Sequence, residues 1–158
     1  MCIDYPLFKT SKKDDRTTDR FRNSDNGVLL GCGLFWEGMD FKGDLLSHLI
    51  IVKLPFLIPD PISEYQKNSI GDRSFRKEVL IPQMLIKLKQ GHGRAIRCET
   101  DTAVISILDS RADRHYRKDV YGALPQTKVT SNIRDVKQFF LEKKDASYFE
   151  RDEKVKMK

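Results

Sequence analysis

Three short apolar runs, separated by segments of helical pattern, constrain this chain more than any other feature of its sequence. The runs are VLLGCG from residue 28, SHLIIVKLPF from residue 47 and AVISILD from residue 103. Runs of this length, rich in Val, Ile and Leu, are typical of strands that are buried on both faces of a parallel sheet. Between the second and third runs, Ile81, Leu85 and Leu88 recur at helical spacing, which predicts an amphipathic helix. The chain is therefore predicted to be α/β, with a mainly parallel sheet flanked by helices.

The rest of the sequence divides into three predicted parts. Residues 1–26 are polar and contain a predicted solvated helix, residues 27–141 form the core, and residues 142–158 are predicted to be a charged, disordered tail. The last core helix is indicated by apolar residues from Ile133 to Phe140. Three strands are few for a parallel sheet, whose open edge would expose backbone groups. We therefore expect the sheet to be incomplete on its N-terminal side.

Composition limits the compartment and the class of partner. The 158 residues suit one domain, and 29 basic against 23 acidic side chains leave a net charge of +6. A basic balance suits a polyanion such as DNA, RNA or nucleotide phosphates, although a basic solvated surface is equally compatible with it. The three cysteines lack metal or disulfide spacing, no secretory segment is visible, and the longest apolar run is too short to cross a bilayer. These features predict a soluble cytoplasmic protein.

The segment LKQGHGRAIR, residues 88–97, places two glycines inside the predicted helix. Glycine there costs about 0.5–1 kcal/mol relative to alanine, so a compensating role is expected. If the helix runs to Arg97, then Gln90, Arg94 and Arg97 share one face at about 100° per residue. Guanidinium groups suit phosphate oxygens, and the glycines would give a ligand clearance. The alternative is a helix that breaks at Gly91 and leaves the arginines in water.

Four segments resemble motifs of DinG/XPD-type superfamily 2 helicases. Residues 90–97, QGHGRAIR, resemble motif VI, and residues 33–43, GLFWEGMDFKG, resemble motif V. Residues 53–61, KLPFLIPDP, resemble the LPF-x-x-P segment of that group, and residues 107–111, ILDSR, resemble its I-L-D-x-R segment. The order and spacing agree across about residues 20–140. The resemblance implies the second RecA-like motor domain of an ATP-dependent DNA helicase.

The resemblance also implies roles for particular residues. ATP and Mg²⁺ would be shared with a first RecA-like domain, and Arg97 would be the arginine finger. Arg94 would be a second phosphate contact or brace, with Gln90 and Gly93 beside it. In the family, motif V couples the nucleotide cleft to the DNA track. The candidates for this role here are Glu37, Gly38 and Asp40. Within motif V, Phe35 and Trp36 fit a core position or base stacking, and Asp40 fits a cap or a ribose contact. Asp109, Ser110 and Arg111 are expected to hold the end of a strand in place, with direct ligand contact as the alternative.

Several parts of a complete motor are missing from the sequence. No Gly-Lys pair occurs, so there is no phosphate-binding loop, and the single Asp-Glu pair lies in the charged tail. The family's iron–sulfur site belongs to the first domain, so no cluster is expected here. The chain alone is therefore expected to be inactive and to need a first motor domain, in the same polypeptide or supplied separately. The other hypotheses are a stand-alone nucleic-acid-binding or regulatory module and a non-functional remnant.

Overall fold

The computed structural model describes residues 5–10, 16–24, 26–32, 41, 43–97, 100–124 and 128–150. Four strands and seven α-helices are assigned in these ranges. In chain order they are β1 (Leu7–Lys9), α1 (Arg16–Arg22), β2 (Val28–Leu30), β3 (His48–Ile51), α2 (Pro61–Ile70), α3 (Asp72–Phe75), α4 (Ile81–Ala95), β4 (Val104–Ile107), α5 (Arg111–Arg114), α6 (Arg117–Ala123) and α7 (Ile133–Lys143).

The chain divides into two compact units. One contains residues 1–39 and 129–158, and the other contains residues 40–128. Each unit holds one pair of parallel strands, β1 with β2 and β3 with β4. The predicted α/β class with parallel strands is therefore confirmed.

The first unit contains a strand that the sequence pattern did not indicate. β1 pairs with β2 in the register Leu7 to Val28, and α1 connects the two strands. The ring of Phe21 on α1 is buried and meets the ring of Phe8 edge to face, with 5.9 Å between the centroids. The N-terminal segment thus supplies one strand of a two-stranded sheet.

Residues 142–150 of the predicted disordered tail are partly helical, and residues 151–158 lie outside the described residues. α7 continues to Lys143, and residues 146–150 form a further helical turn. The ring of Tyr148 stacks on that of Phe140 at 6.1 Å with an interplanar angle of 9°. This aromatic contact holds residues near Tyr148 against α7, although their charged composition predicts disorder.

In the second unit, a helical crossover joins β3 to β4. α2 begins at a capping box, in which the Asp60 side chain accepts a hydrogen bond from the Ser63 backbone N–H and the Ser63 hydroxyl oxygen accepts one from the Asp60 backbone N–H. α3 then continues through a π-helical segment, Arg76–Leu80, into α4. The wider π turn immediately precedes Pro82, whose ring has no N–H to donate to a regular α-helix. The continuous helical segment therefore begins at Asp72, before Ile81, the first residue of the apolar pattern.

The core of the second unit lies along one stripe of α4. Met84 and Leu88 are fully buried, and Gly91 and Ala95 continue the stripe at spacings of three and four residues. This helix packs against α6 and β4. On α6, Val120 is buried. The position of this stripe fixes which residues of α4 remain available at its surface.

Candidate nucleotide-contact surface and the ends of the strands

The residues that resemble motif VI lie at the C-terminal end of α4. Gln90 and Arg94 are four residues apart and therefore lie about 40° apart around the helix, on one side of the buried stripe. Gln90 is exposed and Arg94 is half-buried. Among the predicted contacts, these two are brought together as expected.

Arg97 does not share this helical face, so that part of the prediction is wrong. α4 ends at Ala95, and Ile96 adopts an extended conformation with φ −131° and ψ 109°. The Arg97 backbone N–H donates to Asp101 Oδ2 at 2.9 Å, which holds the chain as it leaves the helix. A β-branched residue after two glycines favours this early end, because both residue types lower helix stability. Arg97 is therefore an exposed residue in the segment after the helix, close to Arg94 in sequence.

The two glycines of this segment differ in environment. Gly91 is buried on the core stripe of α4, so it serves packing and does not provide clearance. Gly93 is exposed, and a Cβ added there would meet no atom within 4 Å. The helix does not break at Gly91. The sequence predicted that both glycines give a ligand clearance. Of the two, Gly93 has open space beside it and Gly91 is buried.

His92, between the glycines, is half-buried and its Nε2 atom is enclosed without a hydrogen-bond partner among the described residues. This burial lowers the pKa of the imidazole, because desolvation disfavours the charged form. The side chain is therefore neutral at physiological pH and adds no positive charge to the two arginines.

The motif V residues lie mostly outside the described residues. Glu37, Gly38 and Asp40, the residues predicted for motif V, lie outside the described residues, and so do Phe35 and Trp36. Gly43, the last glycine of the motif, is described and has φ +57°, in the left-handed region that favours glycine. It opens a 3₁₀ turn, Gly43–Leu46, that leads into β3.

At the C-terminal ends of β3 and β4, one carboxylate joins the two strand ends. Asp109 is 7% exposed and accepts hydrogen bonds from the Leu54 backbone N–H at 3.0 Å and from Arg111 Nη2 at 2.6 Å. The Arg111 side chain and these backbone donors hold the pKa of Asp109 well below its ordinary value. The expected structural role of Asp109 and Arg111 is thus confirmed, since they tie the segment after β3 to the end of β4.

A row of cationic and aromatic groups continues from this ion pair. The Arg111 guanidinium lies 5.0 Å from the centroid of the Phe56 ring, and the Phe56 and Tyr116 rings are 5.3 Å apart. Arg76 lies 5.6 Å from the Tyr116 ring and donates to the Tyr116 hydroxyl at 2.6 Å. Arg76 and Tyr116 are 40 residues apart and no motif joins them, so the sequence did not indicate this arrangement.

The described residues contain neither a candidate membrane span nor a candidate metal site. No helix there is long and apolar enough to cross a membrane. In the same part of the chain, no group of three or more His, Cys, Asp or Glu side chains could hold a metal ion.

Parallel strands joined by helices, with the Gln-x-x-Gly-Arg-x-x-Arg segment at and just after the end of α4, are typical of RecA-like helicase C-terminal domains. A family model for the helicase C-terminal domain matches residues 3–127. The chain therefore belongs to the helicase C-terminal domain family. Its relatives include the DinG and YoaA helicases of bacteria.

Three relatives illustrate the similarity. An ATP-dependent DNA helicase, YoaA of Haemophilus influenzae, is 37% identical over 85% of this chain and 21% of its own length. YoaA of Escherichia coli is 39% identical over 72% of this chain and 19% of its own length. The 3'-5' exonuclease DinG of Bacillus subtilis is 36% identical over 70% of this chain and 12% of its own length. The chain thus spans about a fifth or less of the length of these relatives.

Proposed function

We propose that this chain supplies the second motor-domain half of the ATP site of a DinG-type ATP-dependent DNA helicase. The observation that carries the proposal is the surface at the end of α4, where Gln90 and Arg94 lie on one face beside the open position of Gly93. Exposed Arg97 follows immediately. Two permanent cations and an amide beside open space suit the oxygens of a nucleotide γ-phosphate.

In this proposal, Arg97 is the arginine finger and Arg94 is a second phosphate contact or brace. Arg97 is exposed in the segment that follows α4, so its guanidinium side chain is accessible. Such a group stabilises the charge that develops on the transferring phosphoryl group. Half-buried Arg94 is better held and suits a ground-state contact, with Gln90 nearby as an interdomain or γ-phosphate contact.

The residues present fit ATP on one side only. Arginines and an amide can contact phosphate oxygens, whereas Mg²⁺ needs carboxylate or hydroxyl oxygens placed around it. The phosphate-binding loop and the metal-holding acidic residues are therefore assigned to a first RecA-like domain, in the same polypeptide or added in trans. When bound, ATP and Mg²⁺ supply the phosphoryl group and the charge that bridges its oxygens. The chain alone is expected to hydrolyse no ATP.

Motif V would couple this surface to DNA. Glu37, Gly38 and Asp40 are the residues proposed for this role by resemblance to the family. Relatives named as ATP-dependent DNA helicases support DNA as the substrate. In this proposal the protein works in the cytoplasm and has no membrane partner.

The proposal is tested by joining the chain to the first motor domain of a DinG-type helicase and measuring DNA-stimulated phosphate release. Arg97→Ala is expected to lower the turnover rate by about 10³-fold, the lower end for arginine fingers. Arg94→Ala should lower it less and also raise the KM for ATP. Arg134→Ala, at an exposed position of α7, is the matched control and should leave the rate unchanged. Equal rates for the Arg97 and Arg134 variants would refute the assignment.

A further inference from the structure

The connection that carries Arg97 is anchored at both of its ends. At one end, Ala95 is buried where α4 stops. At the other end, β4 begins beside β3, and the Val104 backbone N–H donates to the Ser47 carbonyl oxygen at 2.9 Å. Residues 96–103 therefore join two points that the core and the strand pair hold in place.

Within this connection, the Asp101 carboxylate fixes the backbone of Arg97. Its Oδ2 atom accepts the Arg97 backbone N–H at 2.9 Å. In a continued α4, this N–H would donate to the Gly93 carbonyl oxygen, but the helix has already ended. The acceptor is a charged group on a half-buried residue, which makes the hydrogen bond stronger than one between neutral groups. The carboxylate thus replaces the helix in holding Arg97.

A fixed backbone matters for Arg97 because its side chain is exposed. A long exposed side chain samples many rotamers, so the position of its backbone decides which region the guanidinium reaches. Misplacing a group that acts on a reacting centre by about 1 Å can lower the rate about 100-fold. Fixing the backbone before the substrate binds also lowers the entropy that is lost when the guanidinium reaches its target.

We propose that Asp101 is a positioning residue for ATP hydrolysis, acting through the backbone N–H of Arg97. This inference rests on the proposed function, in which Arg97 is the arginine finger. Asp101 itself touches neither the nucleotide nor Mg²⁺ in this account. Because the finger stabilises charge that develops in the transition state, losing its anchor should lower kcat and leave the KM for ATP nearly unchanged.

The test compares Asp101→Ala with Asp101→Asn in the protein joined to a DinG-type first motor domain. Asp101→Ala removes the acceptor, and kcat for DNA-stimulated phosphate release should fall about tenfold, with the KM for ATP changed less than twofold. Asp101→Asn keeps a side-chain oxygen that can accept the N–H, so it should restore kcat to within about threefold of wild type. An Asn variant as slow as the Ala variant, or one that needs more Mg²⁺, would overturn the proposal.

A general loss of stability is separated from lost positioning by a matched control and by a double variant. Asn132 accepts the Arg134 backbone N–H at 3.0 Å at the start of α7, so Asn132→Ala removes a comparable hydrogen bond in the other unit and should leave kcat unchanged. In an Arg97→Ala background, adding Asp101→Ala should lower kcat less than twofold further, because the group that Asp101 positions is already absent. A full tenfold further loss would show that Asp101 acts independently of Arg97.

The hydrogen bond itself is tested on the chain alone, without ATP. Amide hydrogen exchange followed by nuclear magnetic resonance should show the Arg97 N–H exchanging about tenfold faster in Asp101→Ala than in wild type, and nearly at the wild-type rate in Asp101→Asn. If Arg97→Ala leaves hydrolysis intact, the proposed ATP site falls, whatever the exchange rates are. If Arg97→Ala abolishes hydrolysis while Asp101→Ala keeps the wild-type kcat, the positioning role falls and the ATP site stands.

Discussion

Replacing Asp109 with alanine should selectively destabilise the second unit. The side chain is 7% exposed and accepts the backbone N–H of Leu54, a residue that is itself 4% exposed. Leaving this buried donor without an acceptor costs about 1–3 kcal/mol. The ion pair with Arg111 adds at most about 1 kcal/mol, because Arg111 is 46% exposed and its charge is screened by water. The free energy of unfolding should therefore fall by about 1–4 kcal/mol, which urea denaturation followed by circular dichroism measures.

The matched control is Asp113→Ala. Asp113 pairs with Arg117 across one helical turn at 3.5 Å, but both side chains are largely exposed, so the loss should stay below about 0.5 kcal/mol. The effect of Asp109 should also depend on pH. Its pKa is lowered in the folded state, so its stabilisation is complete at neutral pH and is lost as pH falls below about 4, toward the folded pKa. Equal losses for the two variants at pH 7, or an Asp109 effect that persists undiminished in strong acid, would refute this reasoning.

The remaining predictions concern α4 and Tyr116. Leu88→Ala should lower the free energy of unfolding by about 2–5 kcal/mol in urea denaturation, because the side chain is fully buried, whereas Ile86→Ala, at a half-exposed position, should cost less than about 1 kcal/mol. Gly93→Ala should raise the midpoint of thermal unfolding, since alanine favours a helix by about 0.5–1 kcal/mol and meets no atom there; a lower midpoint would show that the position is constrained. Tyr116→Phe should cost about 0.5–1.5 kcal/mol by removing the hydroxyl that accepts from Arg76, and an unchanged urea midpoint would contradict this.

The sequence predicted the elements whose patterns are local and strong. β2, β3 and β4 follow from β-branched and apolar runs, and α7 follows from its apolar spacing. β1 was missed because its three residues carry no periodic signal. α2 was missed because Asp60 and Pro61 indicate a loop, although an Asp N-cap followed by Pro is also a helix start.

The motif VI segment was recognisable from the sequence, but its geometry was not. Motif spacing indicated the segment from Gln90 to Arg97, but the end of α4 at Ala95 depends on the conformation of Ile96 and on the hydrogen bond from Arg97 to Asp101. A hydrogen bond of this kind competes with continued helix, and the periodicity of apolar residues does not show which of the two forms. The contacts of Arg76 and Arg111 with the rings of Tyr116 and Phe56 depend on tertiary packing between distant segments, so no local pattern could have indicated them.

The most direct test of the central claim is to titrate this chain into a fixed amount of a DinG-type first motor domain and measure ATP hydrolysis in the presence of single-stranded DNA. The account predicts no hydrolysis by the chain alone, a rate that rises and saturates as the chain is added, and a loss of about 10³-fold in that rate for Arg97→Ala. A rate that does not respond to the chain, or a response that Arg97→Ala leaves intact, would contradict the claim that this domain completes an ATP site through its arginines.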